Sequence, residues 1–281
     1  MRAALIAATA TGLATGLGAL PFLFVRALPR RVYDGILGLG AGLMLAAATL
    51  GLLGEALIGV RDASGLVAGR LWSVVLGFAA GAGLAALMDR LIPHRHASGH
   101  HQHLGHGPGD DRHDFHDDFH DDFHDDGHDG PDADAWRGYA IVGALAIHRV
   151  PEGLAIGAGF AATAHARLGM LLAIAVGLQN ACEGIVMAAP LRQGGVGVGR
   201  SAAIITLAGL VTPVASLGGG LLTTGPSALM PFILALAAGT LIYVTSNEII
   251  PESHSHGFEG TATTGLVTGF LMTMVLRSIL P

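Results

Sequence analysis

The chain has 281 residues, of which 51% are hydrophobic and only 13% charged, with a positive mean hydropathy. A soluble domain carries about 25% charged residues, so the composition excludes an ordinary water-soluble enzyme and points to a bilayer. The net charge of −6 comes from one acidic segment and gives no argument for nucleic acid, and the single cysteine, Cys182, rules out a disulfide within this sequence. The 43 glycines suit membrane helices, where small residues let backbones approach closely.

Spanning a bilayer core takes about 20 mostly apolar residues. Eight such runs follow in chain order: 4–25, 35–60, 71–92, 137–163, 168–190, 201–222, 228–250 and 261–280. The first extends to Val25, longer than a signal-peptide core of about 7–15 residues, so it reads as a span. The expected fold is an all-α polytopic membrane protein. Residues 1–93 hold three spans, 94–135 form a loop, and 136–281 hold five.

Arginine placement sets the expected orientation. With the N-terminus outside, the inner segments hold Arg26, Arg30, Arg31, Arg90, Arg95, Arg112, Arg137, Arg192 and Arg200. The outer segments hold Arg2, Arg61, Arg70, Arg167 and Arg277. The bias puts both termini outside and the long loop in the cytoplasm.

That loop contains more than half of the acidic residues and a repeat in which His113, His116, His120, His124 and His128 alternate with Asp and Phe. Its like charges, Gly and Pro cannot bury a core, so it is expected to be disordered without metal. Imidazole and carboxylate together make a weak multivalent ligand set for Zn²⁺ and its neighbours. Acidity alone does not require a histidine at every fourth place, so metal buffering is favoured over a solvated acidic linker.

Ionisable groups inside a bilayer are expensive and mark functional sites. The fourth run contains His148-Arg149-Val150-Pro151-Glu152-Gly153, and the fifth contains Gln179-Asn180-Ala181-Cys182-Glu183-Gly184. Each places a side-chain donor four residues before a Glu-Gly pair. Positions i and i+4 share a helix face, so His148 with Glu152 and Gln179 with Glu183 form two donor faces. Opposed in a bundle, they supply an imidazole nitrogen, two carboxylates and an amide oxygen. Pro151 also frees the carbonyl of Ile147 and should kink the helix. The alternative is interhelical hydrogen bonding, or a buried Arg–Glu pair that only holds the bundle together. A bare buried carboxylate costs several kcal/mol, so a divalent metal or Arg149 must compensate.

The two motifs, His-x-x-Pro-Glu-Gly and Gln-x-x-x-Glu-Gly, resemble those of the ZIP (Zrt/Irt-like) family of metal-ion transporters, closest to its bacterial members. The resemblance covers the whole chain. It implies a three-two-three helix arrangement, with spans one to three related to six to eight by an inverted repeat. It also implies uptake of Zn²⁺ across a bacterial inner membrane, with Cd²⁺, Fe²⁺ or Mn²⁺ as further substrates, and a possible homodimer. The primary metal site then falls on His148, Glu152, Gln179 and Glu183. Met44 corresponds to a thioether ligand of the family, although on its own a methionine there would read as packing.

Two departures stand out. Arg149 occupies the place of an asparagine, and Thr212, before Pro213, that of a glutamate. With Asn180 and the bridging carboxylates, those positions form a second adjacent metal site in the family. A ligand has become a cation and a carboxylate has become neutral, so the site is expected to hold one metal ion. At the inner end of the seventh run, Glu248, Glu252, His254 and His256 read either as an exit path or as an ordinary polar helix end. An intramembrane metalloprotease would need His-Glu-x-x-His, which is absent, and no Walker A motif supports ATP-driven pumping. A non-transporting metal sensor stays open as the alternative to transport.

Overall fold

The computed structural model describes residues 1–25, 28–62, 65–91, 131–162, 167–223 and 229–280. His113, His116, His120, His124 and His128 of the metal-buffering reading therefore lie outside the described residues. Eight helical stretches follow one another. They are α1 (Arg2–Leu23), α2 (Arg30–Ile58), α3 (Ala68–Leu91), α4 (Pro131–Ala162), α5 (Arg167–Gln193), α6 (Val198–Leu222), α7 (Met230–Ser253) and α8 (Glu259–Ile279). A two-residue antiparallel ribbon, Arg61–Asp62 with Gly65–Leu66, links α2 to α3.

Among the described residues, seven of these helices are long and apolar enough to cross a membrane. The eighth, α4, has the length, at 32 residues. Its interior holds His148, Arg149 and Glu152, the residues that lower its apolar content. Several helices start earlier than the apolar runs predict, because polar first turns such as Arg30–Asp34 are helical too.

Backbone-to-backbone contact at glycine defines the packing. A Cβ on Gly42 would collide with the Leu266 carbonyl, joining α2 to α8, and one on Gly81 with the Leu236 carbonyl, joining α3 to α7. Gly12 faces Gly209 between α1 and α6, and Gly184 lies on the Thr15 carbonyl between α5 and α1. Gly157 lies on the Ser216 carbonyl between α4 and α6, and Gly159 on Gly169 between α4 and α5. Without a hydrophobic driving force between helices in lipid, such close approach is what van der Waals cohesion requires.

Irregularities fall inside the spans. Helix α2 widens to a π-helical stretch at Ala47–Leu53, and α7 does so at Thr245–Ile249. Helix α6 breaks between Gly209 and Val211. Pro213 has no N–H to offer the Gly209 carbonyl, which is the physical cause of that break. Helix α4, by contrast, continues unbroken through Pro151.

Candidate metal centre

The interior of the bundle is packed with Ala and with larger Leu, Ile, Val and Met side chains, yet it encloses a set of polar side chains withdrawn from solvent. Arg149, Glu152, Gln179, Asn180 and Thr212 are fully buried, and His148 and Glu183 nearly so. Helix α4 contributes His148, Arg149 and Glu152 from one turn. Helix α5 contributes Gln179 and Glu183 from positions i and i+4, as the sequence spacing predicts. Contact at Gly159 and Gly169 brings the two helices close enough for their carboxylates to share partners.

Two groups bridge those carboxylates. The Gln179 amide nitrogen donates to Glu183 Oε1 at 2.5 Å and to Glu152 Oε1 at 3.4 Å. The Arg149 guanidinium lies 3.1 Å from Glu183 Oε2 and 3.8 Å from Glu152 Oε2. Arg149 lies i+3 from Glu152 on its own helix, and its shorter contact is to Glu183 on the neighbouring one. In this arrangement one fixed cation sits between two acidic groups, where a low dielectric makes charge compensation obligatory. The Gln179 amide oxygen and Glu152 Oε2 carry no hydrogen bond and are fully buried, so donor capacity remains on this face.

His148 Nε2 lies 3.4 Å from Glu248 Oε1 on α7, so the imidazole links α4 to the helix that carries Glu248 and Glu252 of the expected exit. Asn247, beside Glu248, donates to Asp89 at 3.1 Å and ties α7 to α3. Met44 is buried in the packed interior of α2. It stands one turn after Gly40, where an added Cβ would lie 3.7 Å from Gln179 and 3.6 Å from Cys182. The thioether thus belongs to the face of α2 that meets α5.

The second-site residues divide. The Asn180 amide nitrogen donates to the Thr11 carbonyl at 3.2 Å and so pins α5 to α1, while its oxygen has no hydrogen bond. The Thr212 backbone packs on Gly153, immediately after Glu152, and the Thr212 hydroxyl is buried without a hydrogen bond. Among the described residues, no three His, Cys, Asp or Glu side chains already close around one point. The donor set is therefore assembled on adjoining faces with Arg149 at its centre.

The donor types present, imidazole, carboxylate, amide oxygen and thioether, are those that borderline divalent metals accept. A model of the ZIP zinc transporter family matches residues 2–277. This chain belongs to that family. It is 36% identical over 277 residues to a zinc transporter GufA of Myxococcus xanthus, covering 98% of each chain. It is 34% identical to a zinc transporter ZIPB of Bordetella bronchiseptica, covering 95% of this chain and 78% of that one. A human zinc transporter ZIP11 is 30% identical over 94% of this chain and 93% of its own. Sequence reasoning passed over Asp34, an acidic residue at the start of α2 that is fully buried. The signal available was its position as the one carboxylate between Met1 and Leu53.

Proposed function

We propose that this chain carries Zn²⁺ across the membrane through an intramembrane site formed by His148, Glu152, Gln179, Glu183 and Met44, with Cd²⁺, Fe²⁺ and Mn²⁺ as further substrates. The observation that carries the reading is the buried Glu152–Glu183 pair, held between α4 and α5 by Gln179 and Arg149. Two acidic groups in that setting demand a cation, and the relatives the chain resembles are named as zinc transporters. A carrier explains donors that face one another across two helices better than a sensor does, since a sensor needs no site at membrane depth. The test is ⁶⁵Zn²⁺ uptake into proteoliposomes. Saturable uptake that Glu152→Ala abolishes is expected, and uptake without saturation, or unaffected by that change, refutes the proposal.

The site is mononuclear in this reading, because Arg149 and Thr212 stand where a second ion would need ligands. Eight spans in a three-two-three arrangement follow if α4 crosses the bilayer with the other seven helices. The inverted repeat is supported by matched pairings: α3 with α7 mirrors α8 with α2, and α4 with α6 mirrors α5 with α1. The π-helical stretches of α2 and α7 occupy equivalent members of the two repeats. Placement in a bacterial inner membrane rests on the family resemblance, both termini outside and the long loop in the cytoplasm on the arginine bias, and metal buffering by that loop on its His/Asp repeat. A homodimer is the assembly the family resemblance suggests. Glu248, Glu252, His254 and His256 then line the cytoplasmic exit.

A further inference from the structure

The four residues assigned to the exit are chemically unequal. His254 is fully engaged: its Nδ1 lies 2.9 Å from the Ile250 carbonyl and its Nε2 lies 3.1 Å from the Thr263 hydroxyl. It pins the end of α7 to the first turns of α8 and has no ring nitrogen left for a ligand. His256 is held differently. Its Nδ1 lies 2.8 Å from Asp34 Oδ1 and 3.3 Å from the Ser255 hydroxyl. The Tyr33 ring meets the imidazole edge-on, with centroids 5.8 Å apart and planes at 85°. Gly257, at φ +84°, makes the turn that folds His256 back onto the start of α2.

A buried carboxylate on Nδ1 places the ring proton there and leaves the Nε2 lone pair free to bind. Metal-ligating histidines are oriented in this way by an outer carboxylate. The Nε2 atom faces Glu252 Oε1 at 3.9 Å, an i, i+4 pair whose carboxylate is half exposed. Asp34 itself is fully buried, and its Oδ2 has no hydrogen-bond partner among the described residues.

We propose that His256 Nε2 and Glu252 form a divalent-cation subsite at the inner mouth, and that Asp34 is its positioning residue. The subsite deepens the transport reading above and rests on it. Glu248, Glu252 and His256 recur at intervals of four residues, and Glu248 contacts His148 of the central site. The ion therefore passes from the centre along the end of α7 and the turn that follows it before it reaches water. Two protein ligands completed by water bind weakly enough to release a cation, as a last relay must. That is consistent with the absence of any closed three-ligand cluster among the described residues.

The test measures ⁶⁵Zn²⁺ uptake into proteoliposomes of the full chain, loaded with graded lumenal Zn²⁺ held by a chelator buffer. Lumenal zinc should occupy the subsite from the release side and slow uptake. His256→Gln and Glu252→Gln should raise the half-inhibitory lumenal concentration about tenfold or more. Asp34→Asn should shift it in the same direction by about 10–100-fold, the loss expected for an outer-sphere carboxylate. Glu252 is half exposed, so Glu252→Gln reports even if Asp34→Asn fails to fold. Unmodified protein that lumenal zinc does not inhibit, or a half-inhibitory concentration unchanged in His256→Gln and Glu252→Gln, overturns the subsite. The Glu152→Ala measurement keeps the two ideas apart. If uptake needs Glu152 yet ignores these positions, transport stands and the relay falls.

Discussion

Arg149→Ala removes the cation from between Glu152 and Glu183 while changing nothing else that the two carboxylates contact. In the present arrangement the guanidinium is fully buried and lies 3.1 Å and 3.8 Å from them. Breaking such a pair by deleting one partner costs about 3–5 kcal/mol, because the remaining charge is stranded in a low dielectric. At about 2–4 °C per kcal/mol, thermal unfolding in chelator should drop on the order of 10 °C. The second half of the prediction concerns metal. A Zn²⁺ bound to Glu183 Oε1 would sit roughly 5 Å from the guanidinium, given Zn–O bonds of about 2 Å. At an effective dielectric of about 20, charges of +2 and +1 at that separation repel by about 7 kcal/mol. The carboxylates offset this for one ion and do not for two. Protein lacking residues 94–134 should therefore bind one metal per protomer with Arg149 intact and more tightly, with room for a second ion, after Arg149→Ala. Zinc should restore the lost thermal stability of the variant and raise that of the unmodified protein less. The assay is thermal unfolding in detergent, with and without chelator, beside metal content by mass spectrometry. Two ions bound with Arg149 intact, or equal unfolding temperatures in chelator, would refute the reasoning.

Two further outcomes follow from the structure. Met44→Leu keeps the packing volume of a fully buried position at a cost below about 1.5 kcal/mol. It removes a soft donor, so Cd²⁺ uptake in competition with Zn²⁺ should fall while unfolding temperature barely moves; unchanged competition would remove Met44 from the ligand set. Gly42→Val drives a side chain into the Leu266 backbone, and overpacking of this kind costs about 1–3 kcal/mol or more. Yield of monodisperse protein should drop while metal binding by the correctly folded fraction persists, whereas Gly83→Ala, with open space at its Cβ, should match the unmodified protein.

The helices were legible because membrane spans leave a coarse signal: apolar length, which side-chain detail does not blur. Their ends were less so, since Arg30, Arg31 and Asp34 are polar and still helical. The break at Gly209 could be anticipated from Pro213, whereas the π-helical stretches could not, because nothing in Ala47–Leu53 or Thr245–Ile249 distinguishes widened from regular turns. The i, i+4 spacing correctly put Gln179 and Glu183 on one face. It said nothing about rotamers or about neighbours from other helices.

His148 shows where that limit bites. Its spacing puts it on the face of Glu152, and the spacing does not disclose that its Nε2 also lies 3.4 Å from Glu248 Oε1, some hundred residues along the chain. The same holds for Arg149, whose closest acidic partner comes from α5, and for Asp34, which meets His256 across 222 positions. Each of these contacts joins separate segments of the fold, and pairings between spans cannot be read from one span's period. Local spacing thus nominated the polar side chains that the bundle buries, while the packing decides which partners each one meets. The His148–Glu248 contact joins α4 to α7 at the level of the buried carboxylates, so the packing of α7 on α4 fixes how the imidazole is presented.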